Sequence, residues 1–182
     1  MNLVLMGGSL RPASLNTRLL TYLDREIQAR GHQTQAFHGE ALRWSLYEDG
    51  LAAPEGALRL AEAMRGAQGL VIVSPEYNAG IPGHLKNAID WLSTLSPSPW
   101  KDLPVLLCAA SPGAFGGSRG MLSWRATLAN MGALVVPQAL PIPHADQNLA
   151  EDGTPKDERT AAFVPSVVAD YIAFCARLGH NI

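Results

Sequence analysis

One short stretch, GSLRPASLNT at residues 8–17, places an arginine among hydroxyl and amide side chains directly after an apolar run. Its polar residues are Ser9, Arg11, Ser14, Asn16 and Thr17. The planar guanidinium of arginine binds phosphate oxygens in pairs, and the free N–H groups at a helix start attract anions. The stretch therefore predicts a phosphate site. The alternative is that Ser14 merely caps the helix and that Arg11 is solvated.

A second stretch, residues 74–91, follows the most strand-like run of the chain. Pro75 fixes the exit from that strand, and the glycines that follow predict a tight turn whose backbone approaches a flat ligand. Tyr77 offers an aromatic face, and the amide of Asn78 both donates and accepts, as a pyrimidine-like ring edge requires. The alternative is an ordinary loop. For Glu76 an exposed carboxylate, a subunit contact and a ligand contact all remain open.

The third stretch, SPGAFGGSRG at residues 111–120, is rich in glycine. Ser111 with Gly113, Gly116 and Gly117 allows the main chain to lie against a ring. Glycine-rich loops are common, so this signal acquires weight only from its position after another strand. The fingerprints GxGxxG and GxxxxGK[ST] are both missing, which argues against a dinucleotide or ATP loop.

The elements that must position these stretches alternate along the chain. Strands are predicted at 2–7, 33–37, 69–74, 104–110 and 133–136. Helices are predicted at 15–30, 55–67, 83–95, 118–131 and 157–178. This alternation predicts an α/β fold, a doubly wound parallel sheet with helices on both faces. Five strands favour the flavodoxin-like order 2-1-3-4-5, in which ligands bind beyond the carboxyl ends of the strands.

Composition narrows the class of protein. The 182 residues predict a single domain over 1–182, and 47% hydrophobic with 16% charged residues indicate a globular core. A net charge of −2 without a basic cluster argues against nucleic-acid partners. Cys108, in an apolar strand, is expected to be a buried inert thiol. No leader and no apolar run long enough for a bilayer is recognised, so we expect a cytoplasmic protein without a membrane partner.

Several other residues receive structural interpretations. Trp91 and Trp124 fall on predicted helices and are expected in the core or at a subunit interface. Trp44 and Trp100 fall in loops, where either a ligand mouth or a partner surface is open to them. The polar stretch 148–159 is expected to be a solvated turn. His84 and His144 lack metal-ligand spacing, GxSxG is missing, and no role is assigned to residues 38–54.

The motifs GSLRPASLN, PEYNAGIPGHLKNAIDW and SPGAFGGSR, in this order, resemble those of the NADPH-dependent FMN reductase family of flavodoxin-like proteins, over about residues 1–160. The resemblance implies that FMN is the cofactor. It implies that the phosphate is held by Ser9, Arg11, Ser14 and Asn16, with Thr17 adjacent. It implies that the ring is held by Pro75, Glu76, Tyr77 and Asn78 and flanked by Ser111, Gly113, Gly116 and Gly117.

The activity implied by this resemblance is hydride transfer from NADPH or NADH to the flavin, followed by transfer of electrons to a small acceptor. Flavin, quinone, azo compound and metal oxyanion all remain open as acceptors. One open face used in turn by both substrates predicts ping-pong kinetics, and no catalytic side chain is required. A homodimer or homotetramer is implied.

Two other classes of function are weighed against the enzyme. One is a non-enzymatic FMN-binding electron carrier or redox-responsive interaction protein. Electron-carrier flavodoxins have a Thr- and Gly-rich first loop without the arginine, which disfavours the carrier. The other is a flavin-free module for a different phosphorylated metabolite.

Overall fold

A parallel β-sheet forms the centre of the molecule in the computed structural model, which describes residues 1–11 and 13–179. Its strands are β1 Asn2–Gly7, β2 Gln33–His38, β3 Gly69–Val73, β4 Pro104–Ala110, β5 Leu134–Val135 and β6 Leu140–Ile142. The helices are α1 Leu15–Ala29, α2 Glu55–Arg65, α3 Gly83–Ser93, α4 Ser118–Asn130, α5 Ala145–Asn148 and α6 Glu158–Gly179. Pro12 of the first motif and residues 180–182 of the predicted domain lie outside the described residues.

The strand order is β2-β1-β3-β4-β5, as predicted from the sequence. Every residue of β3 and β4 is buried, because helices cover both faces of these central strands. β2 lies at the edge, and its largely exposed side chains agree with its weak alternating pattern. The predicted flavodoxin-like α/β fold is confirmed.

The last position of the sheet differs from the prediction of one strand at 133–136. Two short strands share it: β5 pairs with the beginning of β4, and β6 pairs with its end. Between them Arg125 donates to the carbonyl oxygens of Val136 and Pro137 at 2.8 Å each. β6 is not predictable from the sequence because three residues with a central proline carry no strand pattern.

Helices cover the sheet in two layers. α1 and α6 pack their apolar side chains on one face, represented by Leu23 and Val167. α2, α3 and α4 cover the other face, represented by Leu60, Leu92 and Trp124. Each helix between parallel strands returns the chain, so α1, α3 and α4 all begin at the carboxyl edge of the sheet.

Helix α6 corrects one expectation. It has 22 residues, and an 18-residue window within it has a mean hydropathy of 1.5, so by length and composition α6 could cross a membrane, although no such run was expected. Val164, Val167 and Tyr171 are buried against the sheet, and the Tyr171 hydroxyl donates to the carbonyl oxygens of Leu70 and Pro104. One face of α6 therefore belongs to the core of the domain.

The burial of the tryptophans and of the polar stretch 148–159 can be compared with the predictions made from the sequence. Trp91 and Trp124 are buried, as predicted. Trp100 is completely buried before β4, at the opposite edge from the carboxyl ends, so it lines neither a ligand mouth nor a surface. The stretch 148–159 is not merely solvated: Gly153 packs so closely on α1 that a Cβ would lie 2.0 Å from the Arg18 carbonyl oxygen.

Candidate functional site

Three loops leave the sheet at one edge and form the candidate site. We call residues 8–14 the first rim loop, 74–82 the second and 111–117 the third. Each begins with a backbone hydrogen bond to the neighbouring strand. Gly8 donates to the carbonyl oxygen of Val73 (2.6 Å), Ser74 to that of Cys108 (2.9 Å) and Ser111 to that of Ile142 (3.1 Å). The three predicted segments therefore share one rim.

The start of α1 is prepared for an anion. Ser14 caps the helix by accepting a hydrogen bond from the Thr17 N–H (3.0 Å), and its hydroxyl also contacts that of Thr17 (2.9 Å). The first turn holds no acidic residue. The N–H groups of Leu15 and Asn16 have no partner among the residues that the structure describes. Unpaired N–H groups at a helix start carry a partial positive charge that favours phosphate.

Arg11 lies exposed in the same loop, and within residues 1–11 and 13–179 no acceptor pairs with its guanidinium group. Its backbone N–H donates to the hydroxyl oxygen of Ser9 (3.1 Å), which is 4% exposed. Because that hydroxyl accepts from Arg11, its own hydrogen is free to be donated. The loop thus presents a cation and a hydroxyl donor beside the helix start.

Asn16 has a partner within the protein. Its buried amide donates to the carbonyl oxygen of Ala110 (2.8 Å), and its Oδ1 accepts from the Ala110 N–H (2.9 Å). Ala110 is the last residue of β4 and precedes the third rim loop. Asn16 therefore joins the first and third rim loops, a role that the sequence did not reveal.

The second rim loop contains a tight turn. Tyr77 and Gly80 pair their backbones, and both central residues have positive φ, 52° at Asn78 and 59° at Ala79. Asn tolerates this conformation better than most residues. Tyr77 is 46% exposed, and the N–H groups of Glu76 and Asn78 lack acceptors in the described part of the chain. These groups are free to contact a ligand.

Glu76 is neither exposed nor free, so the exposed-carboxylate alternative is wrong, while a subunit contact and a ligand contact both stay open. Its side chain is 11% exposed. Oε1 accepts a hydrogen bond from Arg119 Nε (3.0 Å) and forms an ion pair with Arg119 Nη2 (2.8 Å), and Oε2 accepts from the Gly120 N–H (3.0 Å). Glu76 thus ties the second rim loop to the first turn of α4.

The glycines of the third rim loop serve different purposes. A Cβ on Gly116 would lie 2.8 Å from the Ile142 backbone, and a Cβ on Gly117 would lie 2.6 Å from that of Ala109. Internal packing therefore requires both glycines. A Cβ on Gly113 would meet only the Ser111 hydroxyl, at 3.6 Å, so Gly113 is the position that stays open to a ligand.

Two titratable groups lie close to these loops. His84, at the start of α3, contacts the backbone of Gly8, and burial lowers its pKa against the smaller opposing effect of that hydrogen bond. Within the described residues its Nε2 is buried without a partner. Cys108 in β4 is 1% exposed, and burial raises the pKa of its thiol, which confirms the predicted inert cysteine.

The chemistry of these donors fits FMN. The cofactor is a phosphate dianion joined to a planar ring with hydrogen-bonding edges. The first rim loop offers a cation and a hydroxyl hydrogen, and the adjoining start of α1 offers two free N–H groups. The second and third loops offer free N–H groups, an aromatic side chain and an open glycine. Each predicted site residue therefore lies at this rim or in the helix start that adjoins it.

Comparison with known proteins gives the same assignment. Residues 1–147 match the model of the NADPH-dependent FMN reductase family. The chain is 38% identical over 140 residues to a quinone reductase of Escherichia coli. The aligned residues cover 75% of this chain and 73% of that protein. It is 31% identical over 123 residues to a 2-hydroxy-1,4-benzoquinone reductase of Burkholderia, with 66% and 67% covered.

A solved structure agrees over nearly the whole chain. FerB, a flavoenzyme NAD(P)H:(acceptor) oxidoreductase from Paracoccus denitrificans, has a TM-score of 0.85 and 30% sequence identity, with 97% of each chain covered. The resemblance seen in the sequence is confirmed. This chain belongs to the NADPH-dependent FMN reductase family, as an oxidoreductase that uses FMN as its cofactor and NAD(P)H as its hydride donor.

Proposed function

We propose that the protein is an NAD(P)H-dependent quinone reductase whose single domain, residues 1–182, binds FMN at the three rim loops. The observation that carries this proposal lies at the first rim loop and the start of α1, where the guanidinium of Arg11 and the N–H groups of Leu15 and Asn16 have no partner among the described residues. Ser9, Ser14 and Thr17 add hydroxyl groups to this phosphate site. Asn16 contributes its backbone N–H, because its side-chain amide binds Ala110.

The ring end of the cofactor is assigned to the other two loops. The unpaired N–H groups of Glu76 and Asn78 stabilise negative charge on the ring edge. Pro75 and Tyr77 shape one side, and Gly113 with Ser111 admits the ring on the other. Gly116 and Gly117 act indirectly, since they allow the third loop to pack on β4 and β6.

When bound, FMN supplies two-electron chemistry, accepting hydride from NAD(P)H and passing the electrons to the acceptor. The protein residues orient the ring and leave one face open. No side chain is needed as a nucleophile or general base. Because donor and acceptor use the same face in turn, ping-pong kinetics follow.

A quinone is the acceptor that we favour. The relatives from Escherichia coli and Burkholderia are named as quinone reductases. The purified protein should be yellow and should oxidise NADPH or NADH when a benzoquinone is added. Initial rates at several quinone concentrations should give parallel double-reciprocal lines. A yellow protein with no turnover on any quinone, azo or metal-oxyanion acceptor would indicate an electron carrier instead.

The phosphate assignment is tested by Arg11→Ala. Loss of a charge-assisted hydrogen bond costs about 1.5–3 kcal/mol, which raises the Kd for FMN about 10- to 150-fold. Riboflavin lacks the phosphate, so its Kd should stay unchanged. Fluorescence quenching of each flavin by the apoprotein measures both constants. An unchanged Kd for FMN would place the phosphate elsewhere.

Assembly and location complete the proposal. Phe115 and Leu122, beside and on α4, are 66% and 69% exposed, which supports a homodimer or homotetramer formed through this face. Both cysteines are free thiols, which supports a reducing cytoplasm. Light scattering coupled to gel filtration measures the mass, and a 19.4 kDa species would contradict the oligomer.

A further inference from the structure

Helix α4 begins without a cap of its own. Its N-cap position is Gly117, in a left-handed conformation with φ 86°, and it has no side chain to offer. The N–H of Gly120, three residues further on, would therefore lack the oxygen that a capping side chain provides. Glu76 supplies that oxygen from the second rim loop, 44 residues away in sequence.

The same carboxylate is also half of an ion pair. Arg119 Nε donates a hydrogen bond to Glu76 Oε1, Arg119 Nη2 lies 2.8 Å from the same oxygen as an ion pair, and the guanidinium lies 5.5 Å from the centre of the Phe115 ring. Glu76 is 11% exposed whereas Arg119 is 63% exposed. The arginine side of the pair is thus exposed and the carboxylate side is largely buried, and the pair joins the second rim loop to the first turn of α4.

Close packing surrounds this pair. A Cβ on Gly120 would lie 3.2 Å from Glu76 Cγ and 3.3 Å from the Gly80 carbonyl oxygen. The turn that contains Asn78 therefore rests directly on the first turn of α4. The Ser123 hydroxyl adds a longer hydrogen bond to the Ala79 carbonyl oxygen, at 3.4 Å. Among these contacts between the turn and α4, only the one made by Glu76 involves a charged side chain.

We propose that Glu76 is a positioning residue for the flavin ring, because its carboxylate, shared between Arg119 and the Gly120 N–H, holds the free N–H groups of the second rim loop in place. The backbone N–H of Glu76 itself is one of these groups. Arg119 keeps the net charge at this point near zero. The inference rests on FMN as the cofactor and not on which acceptor the enzyme uses.

Two variants separate the roles of this side chain. Glu76→Ala removes both the cap and the ion pair, and it should raise the Kd for FMN and that for riboflavin by the same factor, about tenfold or more. Glu76→Gln keeps an oxygen for the Gly120 N–H but loses the charge, so its effect should be smaller. The matched control is Glu55→Ala, which removes an exposed ion-paired carboxylate on α2 and should change neither Kd.

Comparison with Arg11→Ala distinguishes the ring end from the phosphate end. Arg11→Ala should weaken FMN and spare riboflavin, whereas Glu76→Ala should weaken both. Fluorescence titration of apoproteins gives these constants without any enzyme assay. A Glu76→Ala protein that is folded and binds both flavins within twofold of the parent would overturn the proposal. If Glu76→Ala does not fold, Glu76→Gln decides instead: it should weaken both flavins by one shared, smaller factor, and unchanged Kd values for both flavins would overturn the proposal.

The reduction potential of bound FMN is a signature that a purely structural role would not produce. Glu76→Gln leaves Arg119 uncompensated, and a positive charge near the ring stabilises added electrons, so the potential should rise. Arg119→Ala leaves the carboxylate uncompensated, so the potential should fall. Shifts of the same sign in both variants, or no shift in either, would show that the pair does not act on the ring.

Discussion

The first rim loop and the pair formed by the second and third loops are built in opposite ways. In the first loop and the adjoining start of α1 the groups suited to binding are unoccupied: among the described residues neither the guanidinium of Arg11 nor the N–H groups of Leu15 and Asn16 have a partner. In the other two loops the charged side chain, Glu76, is bound within the protein by Arg119, and the exposed side chains, such as those of Tyr77 and Asn78, are uncharged. The first loop therefore offers side-chain and backbone charge to a ligand, whereas the others offer mainly backbone.

This difference matches the two ends of the cofactor. A phosphate dianion is bound by charge, and charge is most effective when no internal partner competes for it. A neutral planar ring is bound by groups held at fixed positions, which requires rigid loops and few unpaired charges. We call the second and third rim loops, with the first turn of α4, the rigid frame of the site. Removing a residue from the frame should thus cost folding stability, while removing one from the first loop should cost ligand affinity.

The largest loss of folding stability is expected in the third rim loop, where the backbone packs most closely on β4. Gly117→Ala forces a Cβ to within 2.6 Å of that of Ala109 at a φ of 86°, so we expect a loss of about 2–5 kcal/mol in the free energy of unfolding. Gly113→Ala, in the same loop, has space for the methyl group and ordinary φ, and should change the stability by less than about 0.5 kcal/mol. Urea unfolding of the two apoproteins measures the difference.

Equal stabilities for the two alanine variants would show that the third loop relaxes easily. The distinction between a rigid frame and an open first loop would then not hold. FMN titration of Gly113→Ala adds a second test, because a methyl group at the open position should hinder the ring while the protein stays fully folded.

The sequence predicted only part of the sheet that carries the rim loops. Long apolar runs identified β1, β3 and β4, because strands buried on both faces have no polar positions. The order of the sheet followed from alternation with helices. β6 was missed since its three residues carry too little pattern, and the burial of Trp100 was missed because its loop was not assigned to the amino edge of the sheet.

The internal partners within the site could not be read from the sequence. Asn16 and Ala110 are 94 residues apart, and Glu76 and Arg119 are 43 apart, so no local spacing signals either pair. The free groups of the first loop were predictable because helix capping and anion binding are local. The sequence thus indicated which residues gather at the rim, and the structure distinguishes those that bind the protein from those left for a ligand.

The next effect in size concerns the one contact that joins the two kinds of loop. Asn16→Ala removes two hydrogen bonds and leaves both backbone groups of Ala110 buried without partners, so the free energy of unfolding should fall by about 2–4 kcal/mol. Asn130→Ala, which removes an exposed amide at the end of α4, should change the free energy of unfolding by less than about 0.5 kcal/mol and serves as the control. Similar thermal midpoints for the two variants would contradict the joining role of Asn16.

The smallest effect on stability is expected at Ser14, where the first loop meets α1. Ser14→Ala removes the helix cap and should cost about 1 kcal/mol, whereas Ser14→Asp retains a capping oxygen and adds a favourable charge at the helix start. The order of the two variants should be reversed when their affinities for FMN are compared. The aspartate repels a phosphate, so Ser14→Asp should bind FMN more weakly than Ser14→Ala although its apoprotein is more stable. Thermal unfolding and FMN titration of both proteins measure the two rankings, with Ser14→Asn as a neutral cap. If Ser14→Asp bound FMN as tightly as the parent, the phosphate would lie away from this helix start, and the charge-based character assigned to the first rim loop would be wrong.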